Sequence, residues 1–276
     1  MKVILISYAN KPFYKSQQQL KKSAYKYGVD EVIDYNDIWL KKQTAFYQKN
    51  NHILSQKRGN GFWLWKPFII LDALKKMQLD DVLIHIDSGA SFISSVTPLV
   101  DLTKNKEIIL FYNNRHKNSA WTKRDCFYFM DCDNDKFYNE NQTLAGYIVC
   151  KKTPFVISFL EEWLKYAENE NILTDMPNIC GLPNSENFID HRHDQSILSL
   201  LATKYNLELF RDPSQWGNKY KLPQFRTLGE FVENSYVENS FKNSPYATIL
   251  DGHRLKLKLS IADELKYFII KSRFKD

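Results

Sequence analysis

Glycine and proline are scarce in this chain, nine of each among 276 residues, which excludes collagen-like and Pro/Gly-rich low-complexity architectures. Cysteine is scarcer. Cys126, Cys132, Cys150 and Cys180 are unevenly spaced, with no C-x-x-C pair and no histidine at zinc-finger distance, so they read as reduced core thiols of a cytosolic protein. Long apolar runs are also missing: Asp72, Lys75 and Lys76 interrupt the best candidate, well short of the roughly 18 residues that a membrane span needs. The N-terminal run from Met1 to Ser7 turns polar too early for the apolar region of a signal peptide. Nor does one sign of charge dominate. The 38 basic and 32 acidic side chains leave a net +6 and a pI near 8.9, which suits phosphate-bearing or anionic partners and argues against a dedicated nucleic-acid binder.

What is present is enough to build a core. Hydrophobic residues make up 43%, aromatics 14% and charged residues 25%, and the length fits one large α/β domain over 1–250 with a basic C-terminal extension, 251–276, packed on it. Val3 to Ser7 is a continuous apolar run of the kind that becomes a strand buried on both faces. A helix is expected from a Ser16 cap to Gly28, with Gly28 just past its end. Further strands are read at Glu31–Tyr35, Val82–Ile86, Glu107–Tyr112, Leu144–Cys150 and Tyr246–Leu250. Helical patterns fall at Pro67–Met77, Trp121–Met130, Pro154–Tyr166 and Asp194–Tyr205, and 219–245 reads as a loop-rich segment. Strands alternating with helices predict a mostly parallel, Rossmann-like central sheet flanked by helices. Ligands of such sheets bind at the carboxyl ends of the strands, where Tyr8, Asp87 and Gly146 fall.

Four stretches carry candidate chemistry. The strand Val82–Ile86 runs straight into Asp87-Ser88-Gly89, delivering a carboxylate and two small residues to the sheet edge. Such an aspartate suits a divalent metal or a ribose hydroxyl, although on the tripeptide alone a simple strand-ending turn is the favoured reading. Arg58-Gly59-Asn60-Gly61-Phe62-Trp63-Leu64-Trp65-Lys66-Pro67 sets Arg58 and Lys66 before a helix N-terminus, an arrangement suited to phosphate. It is not a P-loop, because the glycines are too close together and no Lys-Ser or Lys-Thr follows; the plain alternative is an aromatic turn packed into the core. His191-Arg192-His193-Asp194-Gln195 precedes an apolar helix, so Asp194 is either a helix cap or, with its histidines, part of a site. Asp251-Gly252-His253-Arg254 follows the last strand; His253 is a metal candidate and Arg254 a bidentate pyrophosphate candidate, with a solvated turn as the alternative. Beyond it, seven Lys or Arg against three acids between residues 253 and 276 suit an anionic membrane surface at the inner face, with a solvated helix face as the default. The acidic run Asp131–Asp135 is not a calcium loop, since Lys136 and Gln142 stand where glycine and glutamate are required.

Taken together and in order, these stretches, with Trp121-Thr122-Lys123-Arg124-Asp125, Leu144-Ala145-Gly146, Lys152-Thr153-Pro154-Phe155 and Glu161-Glu162-Trp163, resemble glycosyltransferases of the GT-A, nucleotide-diphospho-sugar type found in bacterial and viral surface-polysaccharide biosynthesis. The resemblance implies a cytoplasmic hexosyl or pentosyl transferase. It would use a UDP- or GDP-linked sugar donor, a glycan acceptor and a divalent metal, Mn²⁺ or Mg²⁺. It also implies that Tyr8 stacks on the nucleobase and that Arg58, Trp65, Lys66, Asp87, Ser88, Gly89, Gly146 and Arg254 hold the donor. Asp87 and His253 would ligate the metal, His191, His193 and Gln195 would contact sugar or acceptor, and Asp194 would act as base or sugar-orienting carboxylate. The family's Asp-x-Asp motif reads Asp87-Ser88-Gly89 here, with its second carboxylate missing. Two other classes stay open on residues alone: a metal-dependent hydrolase built on His191, His193 and Asp194, and a non-catalytic basic module for polyanions.

Overall fold

The fold, obtained as a computed structural model, describes residues 1–217 and 241–253, apart from the side chains of residues 114 and 115. Arg254 and nearly all of the basic extension therefore lie outside the described residues, as does most of the expected loop segment 219–245. Six strands form the main sheet: β1 (Val3–Ala9), β2 (Glu31–Asn36), β3 (Val82–Ile86), β5 (Ile108–Lys117), β6 (Asn141–Lys151) and β7 (Leu209–Phe210), in the order β2-β1-β3-β6-β5-β7. β1 pairs in parallel with β2 and β3, and β5 with β7, while β6 runs antiparallel to both β3 and β5. Among the described residues, five strands of this sheet thus share one direction and β6 alone is reversed, which makes the sheet mostly parallel, as expected. A small second sheet pairs β4 (Ser91–Phe92) antiparallel with β8 (Leu250–Asp251), so only the end of the strand expected at Tyr246–Leu250 forms, and it straddles the expected boundary at residue 250.

The continuous apolar runs explain this core. Successive side chains of a strand point to opposite faces: Ile4 and Ile6 of β1 join one apolar cluster, Val3 and Leu5 the other. The first cluster is closed by the helices Trp65–Lys76, Pro154–Ala167 and Asp194–Lys204, the second by Tyr14–Lys26 and Thr97–Leu102. In β3, Leu83 belongs to the first face, and the period of two puts His85 there also, on the side of the Trp65–Lys76 helix.

Several boundaries differ from the sequence expectations for local reasons. Ser16 does not cap its helix, which begins at Tyr14; buried inside it, the Ser16 hydroxyl donates to the Ser88 carbonyl at 2.6 Å and pins the loop after β3. Gly28 does follow the helix, with φ +100°. The helix expected from Pro67 starts at Trp65, which places Lys66 in its first turn. The Trp121–Met130 pattern splits into Asn118–Trp121 and Arg124–Phe129, because Thr122 and Lys123 are extended. Cys126, Cys132 and Cys150 are buried, whereas Cys180 is partly exposed. No helix among the described residues is long and apolar enough to cross a membrane.

Ile148 in β6 is fully buried against the first cluster. Ile148→Ala is expected to lower unfolding free energy by about 2–5 kcal/mol in a urea titration, and a loss below about 1 kcal/mol would show that β6 is not central to the core.

Candidate active site

The carboxyl ends of β1 and β3 lie side by side, and β6 flanks β3 on its other edge, where the Asp87 amide donates to the Gly146 carbonyl at 2.9 Å. Above this junction opens a cleft of about 590 Å³. Seven of the residues expected to hold donor or sugar line it: Tyr8, Trp65, Asp87, Ser88, Gly89, Gly146 and Gln195. A side chain at position 146 would place its Cβ 3.2 Å from Asp87 Oδ2, so glycine leaves the carboxylate room.

Beneath the cleft lies a cluster of charge. The Lys66 ammonium, only 3% exposed, stands 2.8 Å from Asp194 Oδ2 and 3.4 Å from Asp87 Oδ1. A buried ammonium is costly unless paired, and two carboxylates from separate elements pair it here. Burial opposes its charge, but Asp194 and Asp87 outweigh that and raise its pKa. Burial likewise pushes Asp87 up, yet Lys66 and then His85 hold its carboxyl below the usual range. Asp194 goes the other way. Burial dominates and raises it to about 6 against the pull of Lys66. Its backbone carbonyl is fixed by the Trp163 indole, which donates at 3.1 Å.

The two oxygens of Asp87 have different surroundings. Oδ1 is buried between Lys66 and the His85 Nε2, 3.4 Å away, whereas the side chain as a whole is 44% exposed, so the carboxylate opens to the cleft through Oδ2. His85 itself is fully buried, and that burial lowers its pKa, leaving it neutral at pH 7.

Other expectations are corrected. Tyr8 is 5% exposed, with one ring face stacked on Trp65 at 4.0 Å and its hydroxyl accepting from the Asn60 amide, so it offers little free ring to a base. Arg58 turns from the cleft to Asp175 and Asp190, at 3.1 and 2.8 Å. His191 and His193 are 2% and 1% exposed and face the core. His191 Nε2 donates to the Ile172 carbonyl at 2.9 Å, and His193 Nδ1 donates to the Leu173 carbonyl at 2.8 Å. Neither reaches the cleft, and the hydrolase reading loses both its ligands. Among the described residues, no group of three or more His, Cys, Asp or Glu is arranged to hold a metal. His253 is buried just after Gly252, where a Cβ would lie 2.7 Å from the hydroxyl of Tyr147, a cleft residue.

Sequence reasoning missed Lys57, Asn60, Trp63 and Tyr147, all of which line the cleft. The signal for the first three was the Gly59-Asn60-Gly61 string, whose residues tolerate left-handed backbone. Tyr147 could have been found from its place beside Gly146. Lys57 takes the cleft position that Arg58 was expected to fill.

The two histidines predict acid sensitivity. Burial lowers His191 well below its ordinary value and His193 to about 4. Below about pH 6.5 the unfolded chain then binds more protons than the folded one, so stability falls with pH by about 1.4 kcal/mol per unit for each histidine. Asp194, being raised, contributes the opposite sign between its unfolded value and about 6. Denaturant titrations from pH 6.5 to 4 are expected to show His191→Gln flattening the slope by about one such increment; an unchanged slope would contradict its burial as a neutral ring.

No protein-family model matches the chain, and no curated protein matches it by sequence. Solved structures do. Mouse xyloside xylosyltransferase 1 aligns over 94% of this chain and 100% of its own, at TM-score 0.50 and 10% identity. The bifunctional glycosyltransferase WbbM aligns over 97% of this chain and 51% of its own, at TM-score 0.52 and 11% identity. At these identities the likeness is one of architecture: the chain shares the fold of these two glycosyltransferases.

Proposed function

We propose that the chain is a glycosyltransferase that moves a hexosyl or pentosyl unit from a UDP- or GDP-linked sugar to a hydroxyl of a growing surface glycan in the cytoplasm. The observation that carries this is the Lys66 ammonium held between Asp87 and Asp194 beneath a cleft at the strand ends. In this reading it joins Asp87, which lines the cleft and is assigned to the donor's diphosphate, to Asp194, which lies behind the lining and is assigned to the reacting sugar. Lys57 adds a cation to the cleft lining.

A divalent cation fits this setting. Asp87 has one oxygen open to the cleft and the other already engaged, and a hard cation of the Mg²⁺ or Mn²⁺ type needs only one or two carboxylates beside phosphate oxygens. Asp87 would hold it with His253, and when bound it supplies charge to offset that developing on the leaving diphosphate. The remaining work belongs to the chain. Lys66 keeps Asp87 ionised, and Gly146 lets the donor approach the backbone. Gln195, whose carbonyl oxygen accepts from the Ala145 amide at 3.4 Å, meets the sugar from the cleft floor. Asp194, with a carboxyl titrating near 6, is suited to accept the acceptor's proton or to orient the sugar. The low exposure of Lys66 and Asp194, 3% and 5% for their side chains, excludes water and strengthens their charge interaction.

The test is a melting experiment with UDP, GDP and CDP, each with Mn²⁺ or Mg²⁺, followed by a nucleotide-sugar turnover screen. One nucleotide is expected to raise the melting temperature, with saturation at 100 times its dissociation constant adding about 2.7 kcal/mol. Asp87→Ala is expected to abolish that rise. No shift with any nucleotide would remove the donor-site assignment.

A further inference from the structure

Residues 59 to 63 all have positive φ: Gly59 at 56°, Asn60 at 54°, Gly61 at 92°, Phe62 at 52° and Trp63 at 60°. Five such residues in succession make a left-handed helical turn, a conformation that is disfavoured for every residue with a Cβ and most for bulky ones. Backbone bonds hold it, Phe62 N–H donating to the Arg58 carbonyl at 2.7 Å and Trp63 N–H to that of Gly59 at 3.3 Å. Glycine at 59 is obligatory for a second reason, because a Cβ there would sit 2.3 Å from the Trp63 ring. A second unusual backbone lies across from it: His193, at φ 52° and ψ −119°. The two are in contact. His193 packs against Phe62 at 4.9 Å and Trp63 at 5.6 Å between ring centroids, and Arg58 ties the start of the turn to Asp190 on the histidine segment.

Each strained segment leads within three residues into one half of the buried ion pair. Trp63 is followed by Lys66, and His193 by Asp194, whose carboxylate lies 2.8 Å from the Lys66 ammonium. Backbone strain of this kind persists only where the surroundings over-determine it, and it gathers at functional sites. We infer that His193 and the left-handed turn act as one positioning unit that sets the separation and aim of Asp194 relative to Lys66. The inference rests on the transferase reading of this site. His193 is 1% exposed and Phe62 does not line the cleft, so both act through Asp194. Their effect falls on the step that needs this carboxylate placed correctly, and not on donor binding through Asp87.

The test uses His193→Ala, Phe62→Leu and the double variant in the full chain, with kcat and donor KM measured for transfer. Each single change is expected to lower kcat by about ten- to a hundredfold with donor KM within about threefold. The nucleotide-induced rise in melting temperature is expected to persist. The double variant is expected to lose about as much as the worse single one, because both changes disable the same unit. Losses in kcat that simply multiply in the double variant would overturn the inference, as would a rise in donor KM that accounts for the whole loss in kcat/KM, or kcat unchanged in either single variant. Crystal structures of the variants supply a readout that needs no turnover: the Lys66–Asp194 contact is expected to open beyond ion-pair distance, and an intact contact overturns the inference. A wild-type chain that neither binds nucleotide nor transfers sugar would instead remove the transferase reading. Should His193→Ala fail to fold, Phe62→Leu carries the same kinetic and structural comparison.

Discussion

One buried ammonium organises this molecule's chemistry. Lys66 can remain charged at 3% exposure only because Asp87 and Asp194 reach it from different parts of the chain. That requirement joins the end of β3, the first turn of the Trp65–Lys76 helix and the first residue of the Asp194–Lys204 helix. A buried ion pair adds little net stability over apolar residues of equal volume, yet removing one partner is costly. The cluster is therefore a poor device for holding the fold together and a good one for setting two carboxylates apart in acidity. Asp87 is held low and Asp194 is raised to about 6. Neighbouring carboxylates with divided acidity are the usual basis for assigning them different roles.

The scaffold explains why the cluster sits where it does. β1 and β3 are buried on both faces and run in parallel, so their carboxyl ends reach one edge together and expose Asp87 to the cleft. The reversed β6 then brings Gly146 alongside without adding a competing side chain. A fold hosts many chemistries. It is the site, more than the architecture shared with two glycosyltransferases, on which the proposed sugar transfer rests.

Much of this was legible in the chain. Val3–Ser7 and Val82–Ile86 announced buried strands because uninterrupted apolar runs have few other uses, and Asp87 followed at the edge where ligands bind. The glycine at 146 and the Trp65-Lys66 pair were also readable as parts of one site. The partners of charged side chains were not. Arg58 and Lys57 are adjacent and equally cationic, and it takes the fold to show that Lys57 lines the cleft while Arg58 meets the distant Asp175 and Asp190. His191 and His193 looked like ligands beside Asp194, but their ring nitrogens satisfy the carbonyls of Ile172 and Leu173, a long-range demand that no local pattern reveals. The direction of β6 was hidden for the same reason, since an apolar strand reads alike in either orientation.

The central claim is that Asp87, Lys66 and Asp194 serve one diphosphate-sugar site. A crystal structure of the chain with a nucleoside diphosphate and Mn²⁺ tests it most directly. The account predicts the diphosphate in the cleft beside Asp87 and Gly146, with the Lys66 ion pair intact beneath it. Diphosphate bound elsewhere on the surface, with the cleft left empty, would contradict it.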